Sequence, residues 1–202
     1  MSLVLDIPNT HRVRVACKEF DEDLSERTLT ELFSQYRDNS DLRHVLLKVV
    51  AVNSLYGTQI VAVEKVARQI HANAKVIDSG LRAGSLDVVP RIASVKIGEK
   101  VRFNYSFATK YCSWHFPELY PIWDSMAHRY LCTLRKQTSF ASFRSKDLWD
   151  YPCFREVIIK FRDAFSLAEF SFKEIDEFLW LEGRKLPTPS RVTRDSVSPS
   201  SS

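Results

Sequence analysis

The sequence predicts a mainly α-helical fold, on three observations. Apolar residues recur at i, i+3, i+4 and i+7 through several long windows, which is the period of a helix with one buried face. Only five glycines serve 202 residues, too few for the turns of a doubly wound sheet or a β-sandwich. The composition, 45% hydrophobic and 27% charged, is that of an ordinary globular protein, and the length suffices for one domain with a sizeable core. The expectation is a single helical domain over 1–185, followed by a Pro/Ser-rich disordered tail over 186–202.

The elements follow in order. Residues 1–24 read as a lead-in, with Val13 and Val15 alternating against Arg12 and Arg14 as in a short extended piece. Asp21, Glu22 and Asp23 then precede a helix over 25–37, since carboxylates suit the partial positive charge of a helix start. A second helix covers 41–56, with Leu42, Val45, Leu46, Val49 and Val50 as its buried stripe. A third covers 60–74, with Ile60, Val63, Ala67 and Ile70 on one face. Gly80 and Gly84 predict a loop, and a short helix over 86–95 follows Ser85, limited by Pro90. Lys96 to Lys100 form a basic turn ahead of an aromatic-rich helix over 104–115. Pro117 and Pro121 enforce an extended connector. Asp124 opens the next helix, with Met126, Ala127, Tyr130, Leu131 and Leu134 at helical spacing. Phe154, Val157, Ile158, Phe161 and Phe165 line another, and Ser171 with Glu174 forms a capping box for the last.

Several functional classes drop out. No basic start with an apolar core opens the chain, and the most apolar stretch, near 46–60, is broken by Lys48, Asn53 and Gln59, so neither a signal peptide nor a membrane span is expected. Cys17, Cys112, Cys132 and Cys153 are far apart and form no CxxC pair, which points to reduced thiols in a cytoplasmic protein without metal or disulfide framework. No P-loop, zinc site, Ser/His/Asp pattern or nucleotide fingerprint is present, and no cofactor is expected. Charge is uneven. Between Arg91 and Lys146 ten Lys/Arg face only Glu99, Glu118 and Asp124, a local +7 within a chain of net +4. A basic middle between mildly acidic ends suggests a face for a polyanion, or simply a solvated surface.

The stretch from Ser106 to Ser125, SFATKYCSWHFPELYPIWDS, is the most informative. A helix leads through a proline-stiffened connector to an aspartate at the start of another helix. This arrangement resembles the core of the helix–hairpin–helix DNA glycosylases of the endonuclease III type, over about 42–134. The resemblance implies a helix–hairpin–helix-like core at about 86–135 and a helix-initiating catalytic aspartate, which falls on Asp124. The family's glycine-rich hairpin is represented by Gly98 alone, and its iron–sulfur cysteines are absent. The lysine that forms an imine in bifunctional members falls near Ser106, one helical turn before Lys110.

Each candidate has a plain alternative. Asp124 is either an ordinary N-cap, worth about 1 kcal/mol, or also the carboxylate that stabilises positive charge at C1′. Lys110 is a catalytic amine, a phosphate contact or a surface lysine. Tyr56, Tyr111, Trp114, His115 and Trp123 line a base pocket, since aromatic faces grip an extruded base, or pack in the core. Asn53 extends a buried stripe and either reads a base edge or bonds nearby backbone. Lys96, Gly98, Lys100, Arg102, Ser106 and Arg129 are the candidate DNA contacts. The last helix reads as docking onto the domain. Taken together, the resemblance implies a monomeric, monofunctional glycosylase acting on double-stranded DNA with a damaged or modified base, in repair or in defence against modified phage DNA. A non-catalytic DNA-binding protein of similar fold, and a small helical interaction protein, stay open beside it.

Overall fold

The computed structural model describes residues 4–20 and 23–187. Ten α-helices and one β-hairpin run through them. The first helix, α1 (Thr10–Lys18), occupies the segment whose alternation predicts an extended piece. It is helical because Asn9 caps it through Arg12 N–H, and because Val13 and Ala16, one turn apart, both enter the core while Val15 stays exposed. Helices α2 (Leu24–Gln35) and α3 (Leu42–Leu55) begin as their acidic caps predict, at Asp23 and Asp41. The buried face of α3 is Val45, Lys48, Val49 and Val52. Val50 is exposed and Lys48 is wholly buried, so the stripe is rotated from the expected one.

Helix α4 (Val63–Ala72) runs almost directly into α5 (Ala74–Ala83), where Gly80 and Gly84 predict a loop. Gly80 lies inside α5, and burial of Ile77 and Leu81 outweighs the roughly 1 kcal/mol that a helical glycine costs. Helix α6 (Val88–Ala93) stops before β1 (Ser94–Ile97), which pairs antiparallel with β2 (Lys100–Phe103). The basic turn is therefore the tip of a two-residue hairpin. Gly98 holds φ at +62°, the positive value that primed hairpin turns need at their first central position. A β-hairpin thus stands where the resemblance implies a glycine-rich helical one.

Helix α7 (Tyr105–His115), the proline connector, α8 (Ser125–Thr138), α9 (Tyr151–Ala164) and α10 (Phe172–Lys185) complete the described residues, with a 3-10 turn at Ser145–Trp149. Both arms of the Ser171–Glu174 capping box are made. Helix α10 packs against α8 and α1, α3 against α4 and α7, and α6 against α7. At Gly183 the approach is so close that a Cβ would run into the Met126 carbonyl. That contact seats α10 on the first turn of α8. Leu186 is buried, and Arg129 donates to the carbonyl oxygens of Leu186 and Pro187, so the chain stays docked past the expected start of the tail. The remainder of that tail, from 188, lies outside the described residues, as do Asp21 and Glu22. Among the described residues no helix is long and apolar enough to cross a membrane.

Candidate functional site

The ends of α2 and α3, the cap of α8 and one face of α10 surround a cleft of about 210 Å3, lined among others by Glu26, Tyr56, Asp124, Lys173, Asp176 and Trp180. Asp124 reaches it because the extended connector ends in an N-cap. Its Oδ1 accepts from the N–H groups of Met126 and Ala127, both at 2.8 Å. Its Oδ2 accepts nothing among the described residues, so one oxygen builds the helix and the other is left at the cleft.

Lys110, on α7, is only 4% exposed. Its Nζ donates to Ser106 Oγ at 2.9 Å and lies 5.4 Å from the centroid of the Tyr56 ring. Burial lowers its pKa, while the Asp124 and Asp176 carboxyls act in the opposite direction. Lys173 forms an ion pair with Glu26 at 2.8 Å. Tyr56 donates its hydroxyl to the other Glu26 oxygen at 2.7 Å, and the Lys173 ammonium sits 4.9 Å from the Trp114 ring centroid. Burial, and then Glu26, raise the Tyr56 hydroxyl well above its usual range.

Asp176 is the site's least satisfied group. It is 8% exposed, and its Oδ1 has no hydrogen-bond partner among the described residues. Burial, reinforced by the Asp124 charge, pushes its carboxyl up to about 8 against the pull of Lys173 and Lys110. Burial also raises the neighbouring Glu177 to about 7. On the α10 side of the cleft burial thus favours the protonated form of both carboxyls.

The predicted base-pocket residues divide. Tyr56 lines this cleft and Trp114 flanks it through Lys173. Tyr111 cannot stack on a base: it is fully buried and donates its hydroxyl to Asn39 Oδ1 at 2.6 Å. Asn53 is used locally, its Oδ1 accepting from Thr58 Oγ1 and Ile60 N and its Nδ2 donating to Ile60 O. Trp123 is buried against Trp149 and Tyr105, with ring centroids 4.3 and 5.2 Å away, and lines neither this cleft nor the next.

His115 belongs to a second groove of about 550 Å3, between α2, α5 and the end of α7, with Arg37, Asp78, Arg82 and Trp114. Beneath it Lys48 donates to Tyr36 O, Asp38 O and Asn39 Oδ1, at 2.8–3.0 Å, and lies 3.2 Å from His115 Nε2. Asn39 in turn donates to both Asp78 oxygens. Burial and the Lys48 charge drive the His115 pKa far down, so the ring is neutral and its Nε2 can accept from the ammonium. This histidine lies outside the first cleft.

The basic middle segment also divides. Arg129 is committed to carbonyls at the end of α10, Arg135 to Phe143 O, Arg144 to Asp147, and Lys110 is buried. Lys96, Lys100 and Arg102 remain exposed on the hairpin around Gly98, in no ion pair among the described residues. Ser106 is half-buried and accepts from Lys110.

Sequence reasoning missed the α10 wall. Ile175, Phe178 and Leu179 do dock as expected, but Asp176 and Glu177 are buried with them. The signal was the run Ile175-Asp176-Glu177-Phe178-Leu179, two carboxylates inside an apolar stretch of a helix buried around more than one face.

The chain belongs to the family described as HI_0787_N, N-terminal domain, which matches residues 12–119. It is 38% identical over 149 residues to an uncharacterized protein of Haemophilus influenzae, a match covering 74% of this chain and 71% of that protein. No solved structure matches. The family match takes in Glu26, Tyr56 and Lys110 and ends before Asp124 and Asp176, so the cleft is assembled from both sides of that limit.

Proposed function

We propose that the chain is a monofunctional DNA glycosylase that hydrolyses the N-glycosidic bond of a damaged or modified base flipped from a duplex. The observation that carries this reading is the division of labour within Asp124: Oδ1 is consumed by the α8 cap, and Oδ2 is left at a cleft walled by Tyr56 and Trp180. Breaking the bond builds positive charge on the sugar, as in glycoside hydrolysis. A fixed carboxylate stabilises that charge and takes a proton from the water that attacks C1′. Aromatic walls suit an extruded base, and 210 Å3, below the usual range of about 300–1,000 Å3 for larger ligands, suits a single ring system. Ser106 stands at the imine lysine's place in the resemblance, and Lys110 serves as the buried cation beside the carboxyls.

The test is incubation with duplexes carrying oxidised, alkylated, deaminated and phage-type modified bases, followed by alkaline cleavage at abasic sites. The base released separates repair from defence. Asp124→Asn keeps the cap, because asparagine caps nearly as well, and should keep folding and DNA binding while excision falls by about 10²–10⁴-fold. Borohydride should trap no enzyme–DNA adduct. Full excision by Asp124→Asn would reduce Asp124 to a helix cap. The exposed cations of the hairpin favour a second reading, a binding protein without catalysis, which predicts duplex binding and no base released from any substrate.

A further inference from the structure

We propose that Asp176 is the general acid of this cleft, delivering its carboxyl proton to the departing base while Asp124 attends to the sugar and the water. The proposal rests on the glycosylase reading and adds to it the half of the reaction that Asp124 cannot perform.

The geometry carries it. Asp176 and Asp124 come from different elements, α10 and the cap of α8, and line the same cleft. The Asp176 side chain is more than nine-tenths buried and its Oδ1 has no partner among the described residues. A buried polar atom without a partner is costly, and such exceptions mark places where an absent group completes the bonding. In this cleft the missing partner is a ring nitrogen or carbonyl oxygen of the base. The groups facing Asp176 are Asp124 from the α8 cap, Lys110 from α7, Tyr56 from the end of α3, and Lys173 and Glu177 from α10 itself. Lys173 is held away by Glu26 of α2 and Tyr56 of α3. Burial and the Asp124 charge prevail over the two ammonium groups, so the proton stays on up to about 8.

The step balances. The C1′–N bond breaks and its electron pair goes to the base, which takes the proton from Asp176. Water forms the new C1′–O bond and gives a proton to Asp124. Asp176 is left ionised and Asp124 protonated, and exchange with solvent restores both. A base that departs without a proton, such as 7-methylguanine with its fixed positive charge, needs no such acid.

The experiment measures single-turnover excision from pH 5 to 10 for the wild-type chain and Asp176→Asn, on a neutral substrate base and on 7-methylguanine duplex. For the wild type the neutral base should show a rate falling about tenfold per pH unit above about 8. Asp176→Asn should lose that alkaline limb and about 10²–10⁴ of the rate, with 7-methylguanine release spared. Where only a neutral base is released, the pH profile decides. An unchanged limb in Asp176→Asn, or equal losses on both bases, would overturn the acid role and leave the glycosylase reading standing. No release of any base by the wild type would instead sink that reading, and this inference with it. A 13C carboxyl titration of the full chain reads the proton without catalysis. Asp176 titrating near an ordinary carboxylate value would overturn the proposal whatever the activity.

Discussion

Lys48, wholly buried on α3, has four polar neighbours around its ammonium, whereas Lys110, almost as buried on α7, has the single hydroxyl of Ser106 and two carboxyls in electrostatic reach. Helix α7 stands between the two regions. Tyr111 and His115, one turn apart, join the Lys48 network. Lys110 and Trp114, also one turn apart, face Tyr56 and Lys173. On one side the donors and acceptors saturate each other, which is how a fold accommodates a buried charge. On the other, Asp176 Oδ1 and Asp124 Oδ2 are left over. A region with spare polar atoms and displaced protonation is where chemistry is to be sought.

The contrast can be broken at Lys48 first. Lys48→Met leaves Tyr36 O, Asp38 O and Asn39 Oδ1 without their donor and should cost about 2–4 kcal/mol in denaturant unfolding. Burial holds the Lys48 pKa at about 8, below its ordinary 10.5, so the neutral amine is the form the fold prefers. The wild type should therefore gain stability relative to Lys48→Met as pH rises from about 8 toward 10.5. A variant as stable as wild type would show that the network does not hold the fold.

Lys110→Met should do the reverse. It removes one hydrogen bond and relieves a buried charge, so stability should change by less than about 1 kcal/mol. If the proposed glycosylase activity holds, excision should fall about a hundredfold, the usual effect of removing one fixed electrostatic group at a reacting centre. Large unfolding with intact specific activity would place Lys110 with Lys48.

Asp176 offers a pH-dependent thermodynamic effect. Its folded pKa, about 8 against an ordinary 3.8, means that the folded state holds a proton the unfolded chain has released. Stability from this group is full below about 4 and is lost as pH rises through about 8. Asp176→Asn lacks that loss, so its thermal stability relative to wild type should rise steadily between about pH 4 and pH 8, from equality near pH 4. The opposite trend would mean that Lys110 and Lys173 outweigh burial.

The smallest effect on the fold should come from the hairpin. Replacing Lys96, Lys100 and Arg102 with Ala should leave stability within about 0.5 kcal/mol, because all three are exposed. If the hairpin meets DNA, the log–log salt dependence of duplex binding should flatten by about 0.9 for each phosphate that is no longer neutralised. Unchanged affinity at low salt would remove the hairpin from the interface.

The starts of α2, α3, α8 and α10 are legible in the sequence, and so is one oxygen of the candidate site. Asp23, Asp41, Asp124 and Ser171 all cap as their positions suggest, because a cap is made between a side chain and backbone two or three residues away. Asp124 was found for the same reason. The α1 segment, the face of α3 and the hairpin were misread, because Val13, Lys48 and Val95 owe their environment to packing with distant segments. Alternation and a basic turn looked alike whether the chain ran extended or helical.

Local rules thus account for where the capped helices α2, α3, α8 and α10 begin, for the proline connector and for the placement of Asp124 at a helix end. Packing alone buried Lys48 in its network, withdrew Tyr111, Asn53 and Trp123 from the two clefts, and brought Asp176 to Asp124. The physical reason is range. A cap or a turn depends on bonds within a few residues, but the cost of a buried charge depends on which groups arrive from elsewhere in the chain. Here that arrival is set by the close seating of α10 at Gly183 on the first turn of α8.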